Sequence, residues 1–194
     1  ISDNNSISGE PGNIERAVKE VIKKSSLISY KSNDLTVDAA DAFISEYYSK
    51  DIVGIGGKKI AIIGAGNIGS KLAQKLVERG SKVYLYRRNR DKLNLIVRQI
   101  NTIKSKYTTE KAFSSSSIME ACNEADILIG ATNGIPVIDA SIINTLAIDS
   151  LVIDIGKGSI SEEAIKKANS RNLVVYRLSI ESALEGKVVS LIST

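Results

Sequence analysis

The most constraining feature of this chain lies at residues 60–69, where an unbroken apolar run, Ile60, Ala61, Ile62 and Ile63, leads directly into GAGNIG (64–69). Four apolar residues without alternation mark a strand covered on both faces, as in a parallel sheet layered by helices. A glycine triplet alone is weak evidence, because any tight turn uses glycine where φ must be positive or another backbone must approach. The flanking pattern decides. NIGSKLAQKLVERG (67–80) carries Ile68, Leu72, Leu76 and Val77 on one helical stripe, with Gly80 as a stop, and KVYLY (82–86) is rich in strand formers. A buried strand, a glycine turn, a helix and a second strand therefore follow in the order required of a dinucleotide-binding unit.

The alternation continues downstream. DKLNLIVRQINTI (91–103) reads as a helix, EKAF (110–113) as a short strand and SIMEACNEA (117–125) as a short helix. DILIGA (126–131) and SLVIDI (150–155) read as buried strands, and NLVVY (172–176) as the last strand. Ser159 followed by Glu162 fits a capping box for SEEAIKKANS. Such alternation predicts an α/β fold, a doubly wound parallel sheet with right-handed crossovers.

Upstream, residues 1–57 hold 6 Lys+Arg against 9 Asp+Glu, whereas the remainder is basic. ERAVKEVIKKSSL (15–27) spaces Ala17, Val18, Val21, Ile22 and Leu27 as a helix would, and VDAADAFISEYY (37–48) does the same with Val37, Ala40, Phe43, Ile44 and Tyr47. DIVGIGG (51–57) reads as a linker. The division expected is an N-terminal helical segment and linker over 1–57 and a dinucleotide-binding domain over 58–194. Val37, Phe43, Ile44 and Tyr47 either form the interface of a homodimer or pack on their own sheet.

In a cradle of this type Gly64 makes the turn, Gly66 lets a pyrophosphate reach the backbone, and Gly69 lets helix and strand pack closely. Asn67 and Ile68 open the helix, whose free N–H groups and positive dipole end face the phosphates. An NAD site usually carries an acid at the end of the second strand, but YRRNR (86–90) stands there instead. Arg87 and Arg88 suit a 2′-phosphate that an acid would repel, so the expected cofactor is NADP(H) in preference to NAD(H). The alternative is a pair of solvated arginines at a helix start. Two further stretches fall at strand C-terminal ends, where ligands of open α/β sheets bind. ATNGIP (131–136), with Ala131, Thr132 and Asn133, is expected beside the nicotinamide end, and GKGS (156–159) adds Lys157, the weak candidate for a catalytic group. Both also read as ordinary loops.

These residues resemble the NADP-binding domains of the shikimate/quinate dehydrogenase and glutamyl-tRNA reductase superfamily, with a weaker likeness to methylenetetrahydrofolate dehydrogenases. The resemblance spans residues 51 to about 180 and rests on KKIAIIGAGNIGSKLA, YRRNRDKL and ADILIGAT. It implies pyrophosphate binding by Gly64, Gly66 and Gly69, and 2′-phosphate binding by Arg87, Arg88 and Asn89. It brings no catalytic residue: residues 1–57 are too short for those enzymes' α/β substrate domain, no Lys and Asp pair matches, and Cys122 precedes a mid-sheet strand rather than occupying the nucleophile position.

Composition removes other classes. With no His and one Cys, a zinc site has no ligand set. No run of about 18 apolar residues suggests a membrane span, and the polar start lacks a signal-peptide core, so a cytoplasmic protein is expected. The basic excess of the second part suits a phosphate-rich cofactor better than nucleic acid, because the arginines cluster at the pocket and no nucleic-acid motif appears. The expected function is an NADP-dependent oxidoreductase, or its cofactor-binding part, passing hydride to or from a small carbonyl, imine or one-carbon substrate. The alternative is a non-catalytic dinucleotide-binding module that serves as a sensor or docks on a separate catalytic domain.

Overall fold

The computed structural model describes residues 6–7, 10–11, 14–25, 27, 32–181 and 183–185. Two short strands, β1 (Ser6–Ile7) and β2 (Glu10–Pro11), pair antiparallel ahead of α1 (Ile14–Val21) and α2 (Ser32–Tyr47). The alternating part then runs β3 (Lys59–Ile63), α3 (Asn67–Glu78), β4 (Lys82–Tyr86), α4 (Arg90–Ile103), β5 (Ala112–Ser114) and α5 (Ile118–Cys122). It closes with β6 (Ile127–Gly130), α6 (Ala140–Asn144), β7 (Leu151–Asp154), α7 (Glu162–Ser170) and β8 (Val174–Arg177).

Strands β3 to β8 form one parallel sheet in the order β5-β4-β3-β6-β7-β8. The chain winds outward from β3 through β4 to β5, then returns to the other side of β3 as β6. The C-terminal ends of β3 and β6 thus flank a topological switch point, where open sheets form a ligand crevice. The doubly wound parallel sheet expected from the alternating pattern is the fold adopted.

The pleat of β3 shows how the sheet becomes the floor of two cores. Ile60 and Ile62 face Leu72 and Leu76 of α3, Leu93 of α4, and α2, while Ala61 and Ile63 face α5, α6 and α7. Each fully buried Ile or Leu contributes about 1.5–3 kcal/mol relative to exposure, which is why these strands read as continuous apolar runs.

Helix α2 belongs to the first core. Val37 and Ile44 are buried with α3 and the sheet, and Phe43 meets Tyr176 of β8 edge to face at 4.8 Å. Val37, Phe43 and Ile44 pack on the chain's own sheet, while Tyr47 is partly exposed. The polar edge of α2 carries three rungs to α3: Asp34 to Lys71, Asp38 to Lys75 at 2.9 Å, and Asp41 to Arg79. Both partners advance along the sequence together, so the helices run side by side in the same direction. Asp41 is the buried rung. Arg79 Nη2 donates to Asp41 Oδ2 at 2.9 Å, and Arg79 Nε lies 2.8 Å from Oδ1 as an ion contact whose N–H is not aimed at that oxygen.

Three expectations need correction. The helix expected over 15–27 ends at Val21, with Val21 80% and Ile22 42% exposed; these β-branched residues meet no described apolar surface, and helical propensity alone does not carry so short a segment. Ser159 is not the cap of α7. Ser161 is, its side chain accepting from the Ala164 amide, while Ser159 is fully buried between two loops. Elsewhere the ends of β5 and β8 shift by a residue or two, α2 begins five residues before Val37 and α5 ends three residues before Ala125.

Candidate functional site

The glycine turn is built by steric necessity at two of its three glycines. Gly64 has φ +113°, and a Cβ there would stand 2.5 Å from the Ala131 oxygen. A Cβ on Gly69 would stand 2.2 Å from the Gly64 oxygen, so this glycine sets how closely α3 packs on the turn. Around Gly66 there is nothing within 4 Å of a built Cβ. The chain leaves that space open. Gly66 is also the N-cap of α3 and supplies no side-chain acceptor to the helix's first amides, which have no intrahelical partner of their own. Open space in front of unpaired donors fits a bound phosphate.

The end of β4 is fastened to this turn. Gly64 N and Ala65 N both donate to the Tyr86 oxygen at 3.0 and 3.3 Å, and Arg87 Nη1 donates to the Ala65 oxygen at 2.7 Å. Arg88 is exposed and lines the same cleft. Asn89 has a structural task in addition to any ligand contact: its Oδ1 caps α4 by accepting from Lys92 N at 2.9 Å.

On the other side of the turn, the loops after β6 and β7 are locked together. Ala131 N donates to the Ile63 oxygen at 2.8 Å, and Gly134 N to the Gly156 oxygen at 3.1 Å. The buried Ser159 holds Thr132, with its Oγ accepting from Thr132 N at 3.2 Å and lying 2.9 Å from Thr132 Oγ1. Asp154, at the end of β7, accepts from Gly158 N at 2.7 Å and Ser159 N at 3.2 Å. A Cβ on Gly156 would fall 2.0 Å from the Thr132 oxygen. These constraints present Lys157, an exposed residue held at φ +55°.

Two clefts result. One, of about 500 Å³, runs from Gly66 past Tyr86, Arg87, Arg88 and Asn89, with Ile118 and Ile135 among its apolar walls. The other, of about 250 Å³, is bounded by Asn33, Asn67, Ile68, Gly156 and Lys157. Gly66, Ala131, Thr132 and Asn133 line both. Every candidate named from the sequence therefore lies at this crevice except Gly69, which is buried beneath it. No Asp or Glu is among the described residues lining either cleft.

Sequence reasoning missed Ser159 as the hub of the two loops and Asp154 as its anchor. A carboxylate closing an otherwise apolar strand was the available signal, since a buried acid must find donors. Cys122 is fully buried in α5, and burial pushes its thiol up to about 12, which disfavours the thiolate a nucleophile requires. Among the described residues no cluster of acids and cysteines could hold a metal ion, and no helix is long and apolar enough to cross a membrane.

A family model described as NADP oxidoreductase, coenzyme F420-dependent, matches residues 59–158. Among curated proteins, the glutamyl-tRNA reductase of Thermosipho melanesiensis is 31% identical over 98 residues, covering 47% of this chain and 23% of the reductase. That of Flavobacterium psychrophilum is 28% identical over 135 residues, covering 68% and 31%. The expected likeness to this group is thus found, and the chain spans less than a third of either relative's length. Among solved structures, the dipicolinate synthase of Bacillus halodurans shares the fold at TM-score 0.59 and 17% identity, covering 98% of this chain and 65% of that one. L-tryptophan dehydrogenase from Nostoc punctiforme does so at TM-score 0.57 and 14% identity, covering 77% and 43%.

Proposed function

This chain belongs to the family of NADP oxidoreductases described as coenzyme F420-dependent, and from that membership we propose that it is the NADP(H)-binding part of an oxidoreductase acting on a small carbonyl, imine or one-carbon substrate. The observation that carries the cofactor preference is the end of β4, where Arg87 and Arg88 border a cleft whose described lining contains no acid. A 2′-phosphate gains charge-assisted hydrogen bonds from two guanidinium groups, whereas a bare ribose hydroxyl is best held by the carboxylate that is missing here.

The remaining roles follow from placement. The amides at the start of α3 take the pyrophosphate over the open side of Gly66. Ile118 and Ile135 give the first cleft apolar walls, and Ala131, Thr132 and Asn133 line both it and the second, smaller one. When bound, the nicotinamide supplies the hydride chemistry; the protein supplies position and charge. The cytoplasm is the proposed location, in keeping with a single buried cysteine that has no partner for an internal disulfide.

A second reading, a dinucleotide-binding module that docks on a separate catalytic domain, draws support from one observation. Among the described residues, the only titratable side chains lining the two clefts are Tyr86, Arg87, Arg88 and Lys157. Titration with NADPH and NADH at fixed salt, followed by fluorescence or calorimetry, tests the cofactor assignment. Tighter binding of NADPH is expected, and equal affinities overturn the preference. Turnover of any member of a carbonyl panel by this chain alone rules out the purely docking module.

A further inference from the structure

The second cleft has a charge character of its own. Its boundary comprises the amide side chains of Asn33, Asn67 and Asn133, the hydroxyl of Thr132, the backbone of Gly156 and the ammonium of Lys157. Among the described residues, Lys157 is the charged residue of the lining, and its ammonium has no ion-pair or hydrogen-bonding partner. The acids nearest in sequence are turned elsewhere: Asp34 pairs with Lys71, and Asp154 is bonded to the Gly158 and Ser159 amides behind the loop. A concave site of about 250 Å³ whose described lining offers an unpaired cation, several neutral donors and no acid favours a small anion.

The backbone supports the same reading. Lys157 sits in the left-handed region without being glycine, and its neighbours on both sides are pinned by Asp154, Ser159 and Thr132. Such conformations persist where surrounding structure enforces them, and they concentrate at ligand sites. The two clefts share Gly66, Ala131, Thr132 and Asn133 as walls, so an anion held at Lys157 adjoins the proposed cofactor cleft at the loop expected beside the nicotinamide.

We infer that Lys157, with Asn33 and Asn133, anchors the carboxylate of the substrate, which makes the substrate a small 2-oxo or 2-imino acid. The inference rests on the cofactor reading above, since it places the acid beside the nicotinamide.

The test uses oxamate as an unreactive 2-oxo acid mimic and oxamide as its uncharged counterpart, titrated into the NADPH-loaded chain and followed by NMR. Oxamate is expected to bind in the millimolar range and oxamide at least tenfold more weakly. Lys157→Gln is expected to weaken oxamate at least tenfold, Lys157→Arg to retain it within about threefold, and Lys111→Gln, which removes the same charge near the opposite edge of the sheet, to leave it unchanged. NADPH affinity is read separately for each variant. Intact NADPH binding with no oxamate binding, or with oxamate binding indifferent to Lys157→Gln, overturns the inference and leaves the cofactor reading standing. A loss of NADPH affinity in Lys157→Gln assigns the lysine to the cofactor phosphates and overturns it as well. Failure of the unaltered chain to bind NADPH overturns both.

Discussion

Arg87 Nη1 donates a 2.7 Å hydrogen bond to the main-chain oxygen of Ala65, fastening the end of β4 to the middle of the glycine turn. Arg88, next in sequence, is exposed at the same cleft and makes no such bond. The two arginines therefore differ in what their removal does. Arg88→Ala is expected to weaken NADPH about tenfold, by loss of one charge-assisted contact, while leaving NADH within about twofold. Arg87→Ala is expected to weaken both, because it also frees the turn proposed to take the pyrophosphate. Calorimetric titration with each cofactor distinguishes them, and an Arg88→Ala effect of equal size on NADH would falsify the 2′-phosphate assignment.

Gly66 and Gly69 separate binding from stability. Alanine at Gly69 places a methyl 2.2 Å from the Gly64 oxygen, where only backbone can yield; overpacking of this kind costs about 2 kcal/mol or more. Alanine at Gly66 meets nothing of the chain and sits at an ordinary extended φ of −91°. Thermal unfolding should show a markedly lower Tm for Gly69→Ala and a Tm close to the parent for Gly66→Ala. NADPH titration should show Gly66→Ala to be the binding-deficient variant of the pair, because its methyl enters the open space proposed for the pyrophosphate.

The third rung between α2 and α3 is the one that matters for stability. Asp34 and Asp38 are partly solvated and their pairs contribute little, but Asp41 has only 10% of its side chain exposed. Arg79→Ala leaves that carboxylate with only the Lys75 ammonium at 3.6 Å, a loss of about 2 kcal/mol, less than the roughly 3–5 kcal/mol of a buried charge with no partner left. Adding Asp41→Ala should restore part of it. A double-mutant cycle by chemical denaturation measures the coupling, and additive single effects would show that the pair contributes nothing.

Cys122 gives a pH dependence of defined sign. Burial raises its thiol from the usual 9.0 to about 12, so in the folded state it keeps its proton over a range in which the unfolded state gives it up. Between those two values the folded state binds more protons, and stability falls as pH rises. Relative to Cys122→Ala, the parent should lose roughly 1.5 kcal/mol between pH 9 and pH 10.5. Alkylation by iodoacetamide at pH 8 should be slow in the native protein and fast once denaturant exposes the thiol.

What the sequence made legible is what depends on near neighbours. The unit from Ile60 to Tyr86 could be read because strand burial, glycine turn and helical stripe each have a period or a spacing, and its arginines followed from position alone. The roles of Ser159 and Asp154 could not, because their partners Thr132 and Gly158 are set by a crossing of two loops rather than by spacing along the chain. Ser159 looked like a helix cap for the same reason: Ser161 offers an equivalent hydroxyl two residues on, and only the position of the loop decides which one caps. Helix α1 is shorter than its pattern suggests, since Val21 and Ile22 have the right spacing but no described surface to bury against.

The crossing of those loops also bears on how such a site can diversify. With Thr132 clamped by Ser159, Gly134 tied to Gly156, and the Asp154 carboxylate bracing the return, neither loop can gain or lose a residue without dislodging the other. The freedom this scaffold leaves lies in the outward-facing side chains at Asn133, Ile135 and Lys157, which can be exchanged one at a time while the crossing beneath them stays intact.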